Sequence, residues 1–415
     1  IQGEYGSWNS YRAAAEFETG RIGKGFAFRG RLSSSGTEGW RDDTQINLQS
    51  YFLSAGWTGE KTNIRLNVFG GDTRTRFAFL AVEPQILDTN RTYNPFFGPE
   101  ERDDFGEHFA QLRLTHYFSD RWKLTAMPYY SRINGSFWLN TSSPVTQANV
   151  APFQIGDSLI TRFDWLQEGR LRHHRYGGFA NAQYTSKRLT LNMGAHGSGF
   201  QRDHFMQLDW AEALPPSIGP NHPVYYNTGY KYEASAFLKA EWKPVERLTL
   251  FADPQGRWAR FRYEGEDMQV LRDTFQVETA DWFFFNPKGG LRWHQTEKLS
   301  FYGSVGMTQR EPARLDFLGG ADRALQDLDP KRVASETVVD AEAGVNYRSR
   351  RFQLQANLFW MEFWDEIVAT GELNAFGLAI RRNVPRSFRR GLELQYTWQP
   401  LEQLRLQGNA SYTWA

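Results

Sequence analysis

Nowhere in these 415 residues is there a cysteine, which excludes a disulfide-stapled scaffold, thiolate metal sites and cysteine nucleophiles. Long hydrophobic runs are also missing. No stretch approaches the roughly 18 consecutive apolar residues that a transmembrane helix needs, and the mean hydropathy of −0.61 is too polar for a bundle of such helices. With 48 basic against 47 acidic residues the formal net charge is only +1, so no global field would gather nucleic acid. Catalytic signatures are absent too: there is no HExxH, no phosphate-cradling glycine loop and no interpretable Ser-His-Asp spacing. No catalytic residue, metal or cofactor is therefore expected.

What the chain does have is alternation of period two, in at least sixteen stretches. Residues 403–415 put Leu404, Leu406, Gly408, Ala410, Tyr412 and Trp414 on one side and Arg405, Gln407, Asn409, Ser411 and Thr413 on the other. Similar strands place Ile64, Leu66 and Val68, or Ala234, Ala236, Leu238, Ala240 and Trp242, on an apolar face. Strands of this kind have one oily and one wet face. So many of them, with aromatics at 16%, predict an all-β fold: a transmembrane antiparallel β-barrel, polar on average because its interior is wet.

Connections alternate between short and long. Short ones fall near 20–25, 58–62, 119–121, 186–188, 244–247, 296–298, 349–350 and 400–403, and long ones at about 36–45, 74–106, 136–167, 204–228, 265–281, 311–334 and 368–382. Outer-membrane barrels keep short turns in the periplasm and long loops outside. Trp57, Phe118, Trp122, Tyr184, Trp242, Trp293, Tyr347 and Trp398 gather beside the short turns, as an interfacial girdle would. Pro128 and Pro254, inside strand patterns, predict bulges or locally broken pairing. Strand direction adds a further expectation: the strand at about 10–20 descends and the strand at 403–415 ascends, so at least one strand is expected upstream and an odd number downstream.

Several segments resemble, in order, the TonB-dependent outer-membrane receptors, especially the iron-complex branch of Bacteroidota-like bacteria. They are Thr89-Asn-Arg-Thr-Tyr-Asn-Pro-Phe-Phe97 with Asp104 and Glu107 to Leu112; Phe284 to Leu291 (FFNPKGGL); Arg310 to Phe317 (REPARLDF); Leu328 to Val333 with Asp340 and Glu342; Leu358 to Val368; and Arg382 to Leu394. The resemblance implies a barrel of about twenty-two strands around an N-terminal plug, with about sixteen strands present in 1–415, truncated at both ends and lacking the plug. It implies localisation in the bacterial outer membrane among lipid and lipopolysaccharide, and energy-coupled uptake of a ferric siderophore or similar iron complex, driven by the TonB complex through the missing plug region. Cobalamin, heme or glycan import, or a non-transporting adhesin or structural barrel, are the alternatives.

Ligand recognition belongs in the long loops and upper lumen, where arginines meet anionic chelates and aromatics cover flat surfaces. Arg91, Tyr93, Arg102, Trp138, Trp165, Trp210, Arg314, Arg381 and Arg382 are the candidates. His173 and His174 are adjacent strand residues that point to opposite faces; Arg172 and Arg175 beside them suit lipopolysaccharide or solvent. Asp203, His204, Asp209 and His222 could make a hard-metal site and Glu100, Glu101, Asp103 and Asp104 a calcium site, though a solvated loop is favoured in both. Glu311-Pro312 should end a strand, with Arg314 and Asp316 pairing in the following loop, and Asn383, Pro385 and Gly391 should shape the start of another.

Overall fold

The structure, a computed structural model, describes residues 1–96, 98, 100–267, 273–313, 316, 333–373 and 379–415. The wall begins with β1 (Gln2–Gly6), β2 (Ser10–Glu18), β3 (Phe26–Thr37), β4 (Gln45–Thr58) and β5 (Thr62–Arg76). A short helix α1 (Pro84–Thr89) precedes β6 (Arg102–Tyr117) and β7 (Trp122–Pro144). A 3-10 turn at Val145–Ala148 and a small hairpin, β8 (Phe153–Ile155) and β9 (Ser158–Ile160), lead to the longest strands: β10 (Arg162–Thr185), β11 (Leu189–Ala211) and β12 (His222–Val245). Then come β13 (Leu248–Asp253), β14 (Gln255–Asp267), β15 (Asp273–Phe285), β16 (Lys288–His294) and β17 (Leu299–Arg310). The chain closes with β18 (Glu336–Arg348), β19 (Phe352–Leu373), β20 (Ala379–Leu401) and β21 (Leu404–Trp414).

All but β8 and β9 join one 19-stranded sheet, antiparallel throughout and paired in sequence order. Proline explains two of its breaks, because its nitrogen cannot donate to the ladder. Pro254 alone separates β13 from β14, and Asn286-Pro287 separates β15 from β16. Each pair is one pass across the wall, so the sheet makes seventeen passes: the sixteen legible in the sequence plus β1. β1 lies antiparallel to β2. At Pro128 the β6–β7 ladder lapses between the Gln111/Tyr129 and Leu114/Ala126 pairs. Among the described residues β1 pairs only with β2 and β21 only with β20, leaving two exposed edges.

The short turns stand where predicted, but several of the long segments are mostly paired strand rather than loop. β10 and β12 are 24 residues long and β7 and β11 are 23, more than twice the roughly 9–11 residues that cross a bilayer. Segments 136–167 and 204–228 are therefore largely ribbons standing above the membrane. These ribbons hold a small core of their own: Val145, Ala148, Val150, Phe163, Trp165, Leu208, Val224 and Tyr225, drawn from both connections. Burying each larger apolar side chain contributes about 1.5–3 kcal/mol, so the core fixes the top of this wall.

Directly opposed residues in an antiparallel ladder share a face, and the register therefore assigns every side chain. Leu406 faces with Trp398, and Gln407 with Thr397; Ala236 and Leu238 face with Ala195 and Met193. These apolar positions form an outer belt bounded by Trp57, Trp122, Tyr184, Trp242, Trp293, Tyr347 and Trp398, while Arg292, Tyr302, Asn346, Gln355 and Gln395 line the inner side. Introducing a charge on the belt should be costly and on the inner face tolerated. Leu238→Arg is expected to lower folding stability by about 2–4 kcal/mol, whereas Lys239→Ala, which removes only an exposed pair to Glu241 at 3.1 Å, should cost less than about 1 kcal/mol. Urea titration of the protein refolded into lipid vesicles reads both.

Candidate ligand-recognition region

On the inner face near the top of the wall, four charged side chains converge. Glu311, buried just past the end of β17 and before Pro312, takes Lys231 Nζ at 2.6 Å and Arg257 Nη1 at 2.5 Å. Arg257 Nη2 also donates to Glu233 at 2.8 Å. Burial alone would raise the Glu311 carboxyl, but hydrogen bonds from Arg257 and Lys231 outweigh it and bring the group down to about 2. Beside this cluster run Tyr129, whose hydroxyl meets His196 Nε2 at 2.9 Å, and His173, edge-on to Phe200 at 4.3 Å. The sequence marks Glu311 only as a strand terminator. Its partners come from β12 and β14, and inward-facing charges on neighbouring strands were the one available signal.

The predicted site residues do not form one cluster. Arg91 is exposed and Tyr93 half-buried in a segment anchored by Thr92 O, which accepts from Asp42 N at 2.8 Å, and by Asn94, which donates to Phe77 O at 2.9 Å. Arg102 and Trp138 come together, the guanidinium 4.1 Å above the indole, and Arg102 also pairs with Glu100 at 2.9 Å. In register both share the face of Leu112 and Leu114 and so turn away from the lumen. Trp165 is 2% exposed in the ribbon core and donates from Nε1 to Ser143 Oγ at 2.9 Å, which is a packing role. Trp210 is exposed on β11. Arg381 reaches Asp316 at 3.2 Å and Arg382 reaches Glu372 at 3.5 Å, both guanidiniums substantially exposed. Arg314 lies outside the described residues.

The other candidates resolve into local pairings. His173 and His174 point to opposite faces, His174 Nδ1 lying 2.8 Å from the Tyr130 hydroxyl, and Arg172 and Arg175 likewise alternate between them. Asp203 accepts from Thr228 at 2.9 Å, and His222 Nε2 lies 2.9 Å from Asn149 O. Glu101 is held by the Gly98 and Asn140 amides, and Asp104 by Arg74 at 2.9 Å. Among the described residues no three His, Asp or Glu side chains come together as a metal site. Asn383 ties three segments by donating to Ala334 O and Asp365 O, and a Cβ at Gly391 would stand 2.2 Å from Tyr412 O.

The Glu311 cluster yields a test with a defined sign. Because the folded group titrates at about 2 against an ordinary 4.5, its stabilisation is fully present above about pH 4.5 and is lost as pH falls through about 2. Glu311→Gln should cost about 2 kcal/mol at pH 7, and the gap from the parent should shrink between pH 4.5 and 2. Denaturant unfolding at several pH values measures it; a gap independent of pH would remove the carboxylate from the account.

The family described as TonB dependent receptor-like, beta-barrel, matches residues 11–415. Among solved structures, the wall is similar to the copper transporter OprC (TM-score 0.68, 15% identity, 98% of this chain and 59% of that one). It is also similar to the ferric-catecholate import receptor Fiu of E. coli (0.62, 13%, 99% and 64%) and to the ferric yersiniabactin uptake receptor FyuA of Yersinia pestis (0.64, 13%, 98% and 59%). At these identities the likeness shows the fold, and the chain spans about six-tenths of the length of those proteins. No curated protein sequence matches it. Ordered antiparallel strands, an apolar outer belt, a polar inner face and the family match over nearly the whole chain place it in the bacterial outer membrane and in one family: the chain belongs to the TonB-dependent receptors, as part of the receptor barrel.

Proposed function

We propose that this wall belongs to a receptor that captures a scarce anionic iron complex, a ferric siderophore in the first instance, at the cell surface. In this reading uptake is powered by the TonB complex acting on a plug within the barrel, and the protein is a carrier rather than a catalyst. The observation that carries it is the concentration of exposed guanidinium and aromatic groups on the long-connection side, Arg91, Trp210, Arg381 and Arg382 with the half-buried Tyr93, above an inner face lined by polar side chains. Guanidinium groups bind carboxylate, catecholate and hydroxamate oxygens through directed donors, and aromatic rings cover the flat faces of such ligands. Of the similar structures one is named for ferric-catecholate import, one for ferric yersiniabactin uptake and one for copper transport; the chemistry of the Arg381–Arg382 pair favours a bulky anion over a bare cation.

The two arginines differ in what they hold. Arg381 neutralises Asp316, whose side chain is fully buried, whereas Arg382 makes one long exposed contact. In the complete receptor Arg382→Ala should weaken ferric-ligand binding about tenfold, roughly the 1.4 kcal/mol of one charge-assisted contact. Arg381→Ala should weaken it and also lower stability, while Arg381→Lys should restore stability more than binding. Equilibrium binding of the ferric ligand to folded protein, with cellular uptake alongside, reads the set. Unchanged binding in the double alanine variant would move recognition away from this loop, and tight binding of heme or cobalamin alone would replace the ligand class.

A further inference from the structure

The lowest inward row of the wall, beside the short turns, carries one sign of charge. In six of the eight short hairpins the residue just before the returning strand is basic: Lys61, Arg121, Arg188, Arg247, Lys298 and Arg351. Each still belongs to the ladder, because its carbonyl accepts from the backbone N–H of Tyr117, Thr185, Lys243, His294, Arg348 or Gln399 respectively. The residue that follows faces outward, as Trp122, Leu189, Leu248 and Phe352 do in register with the aromatic girdle. Alternation therefore turns the six cations toward the lumen. The residues across from them add Lys243, His294 and Arg348, and no carboxylate stands in the row.

The acids of these turns, Glu60, Asp120, Glu246 and Glu297, each sit one residue earlier and so on the other side of the alternation. All six cations are exposed, and among the described residues none has a carboxylate within ion-pair distance; Arg247 donates only to Gln295 O, at 3.2 Å. Higher in the lumen inward charges are matched, Arg29 and Arg31 with Glu16 and the pair Lys231 and Arg257 with Glu311. Neighbouring strands lie about 4.8 Å apart, so cations two strands apart stand roughly one Debye length from each other and their fields add. The row opens upward into two grooves. One of about 440 Å³ is lined by Arg292, Lys298 and Arg348 with the amides of Asn346, Gln355 and Gln395. The next, about 600 Å³, shares Arg292 and His294 with it and adds Lys243 and Lys288, beside Asp253, Glu342 and the Lys239–Glu241 pair. A mouth ringed by Arg and Lys admits anions and turns cations away.

We propose that the short-turn mouth of the lumen is an anion site, which holds a compact polyanion such as a multiply charged metal chelate as it leaves the wall on the periplasmic side. A compact occupant fits better than an acidic chain, because the cations face the lumen from successive hairpins around its rim and do not lie along one track. That the occupant is outgoing cargo rests on the transport reading; the charge of the site does not.

The test uses the complete receptor in phosphatidylcholine nanodiscs with three probes read by fluorescence anisotropy: pyrene tetrasulfonate, a tetracationic pyrene of similar size, and a dye-labelled tetraglutamate. Tetrasulfonate should bind at least about tenfold more tightly than either of the others, weaken as salt is raised, and lose about tenfold or more in Arg247→Gln/Lys298→Gln/Arg351→Gln. Because Arg382 on the opposite side also offers a guanidinium, the same loss should appear in an Arg382→Ala background. Equal binding of the two pyrenes, tighter binding of tetraglutamate, or undiminished affinity in a triple variant with native circular dichroism would each overturn the assignment. If tetrasulfonate behaves as expected in a receptor that binds no ferric chelate, it is the transport reading that fails and the anion site that stands.

Discussion

Everything in this wall depends on one constraint: inside a bilayer no backbone N–H or C=O can turn to water, so each must be paired along an unbroken ladder. An antiparallel ladder without slippage locks side-chain parity over its whole length. The β5–β6 and β7–β10 pairings hold one register from the short turns to their tops. A residue's distance and parity from its turn then determine whether it meets lipid, lumen or headgroup. Register shifts lie toward the ends of the strands, at Leu166/Gln167, Met206/Gln207 and Ala369/Leu373 on the long-connection side and at Trp242/Val245 and Trp398/Leu401 beside the short turns. Pro254 sits lower, and its carbonyl still accepts from Leu238 N at 3.1 Å, so the interruption loses a donor without orphaning the acceptor.

The same constraint explains which parts were legible in the sequence. Within the membrane, lipid on one face and polar space on the other force an apolar/polar alternation, as at Leu189, Leu191 and Met193 against Thr190, Asn192 and Gly194. Higher up both faces are wet and the alternation dissolves: Arg74, Asp104, Ser136 and Trp138 fall in segments read as long connections although all four stand in strands and all are paired. Nothing local distinguishes a paired polar ribbon from a solvated connection. The ribbon core was hidden for a different reason. Val145, Phe163, Leu208 and Val224 are separated by long stretches of chain, and only the packing of the two ribbons makes them neighbours. Trp165 looked like a ligand-facing aromatic because burial above a membrane is not encoded by period.

The candidate site was legible by residue type more than by place. Arg91 lies in the connection before β6 and Arg382 near the start of β20, paired with Val368, both on the long-connection side. What spacing could not convey was side: Arg102 and Trp138 meet as a stacked pair on the outer face. The Lys231–Glu311–Arg257–Glu233 network was missed because its members are far apart in sequence and each alone is an ordinary inward-facing strand charge or strand terminator.

The two margins of the apolar belt differ in kind, and the difference carries information. Near the short turns the outward ring is aromatic alone, with Trp122 and Tyr184 packed at 4.9 Å. At the opposite margin aromatics are interleaved with guanidiniums: Arg390 lies 3.6 Å from the Trp360 ring, Arg260 5.4 Å from Trp258, and Arg386 5.9 Å from Trp364. Aromatic rings suit any lipid interface, because an amphipathic ring asks only for a boundary. Arginine asks for an anion. Arginines near the other margin, such as Arg121, Arg188 and Arg247, sit in the short turns themselves, where their head groups reach water directly. Where the arginines of the long-connection side hold Glu362 and Asp281 the upper margin of the belt is self-neutralised.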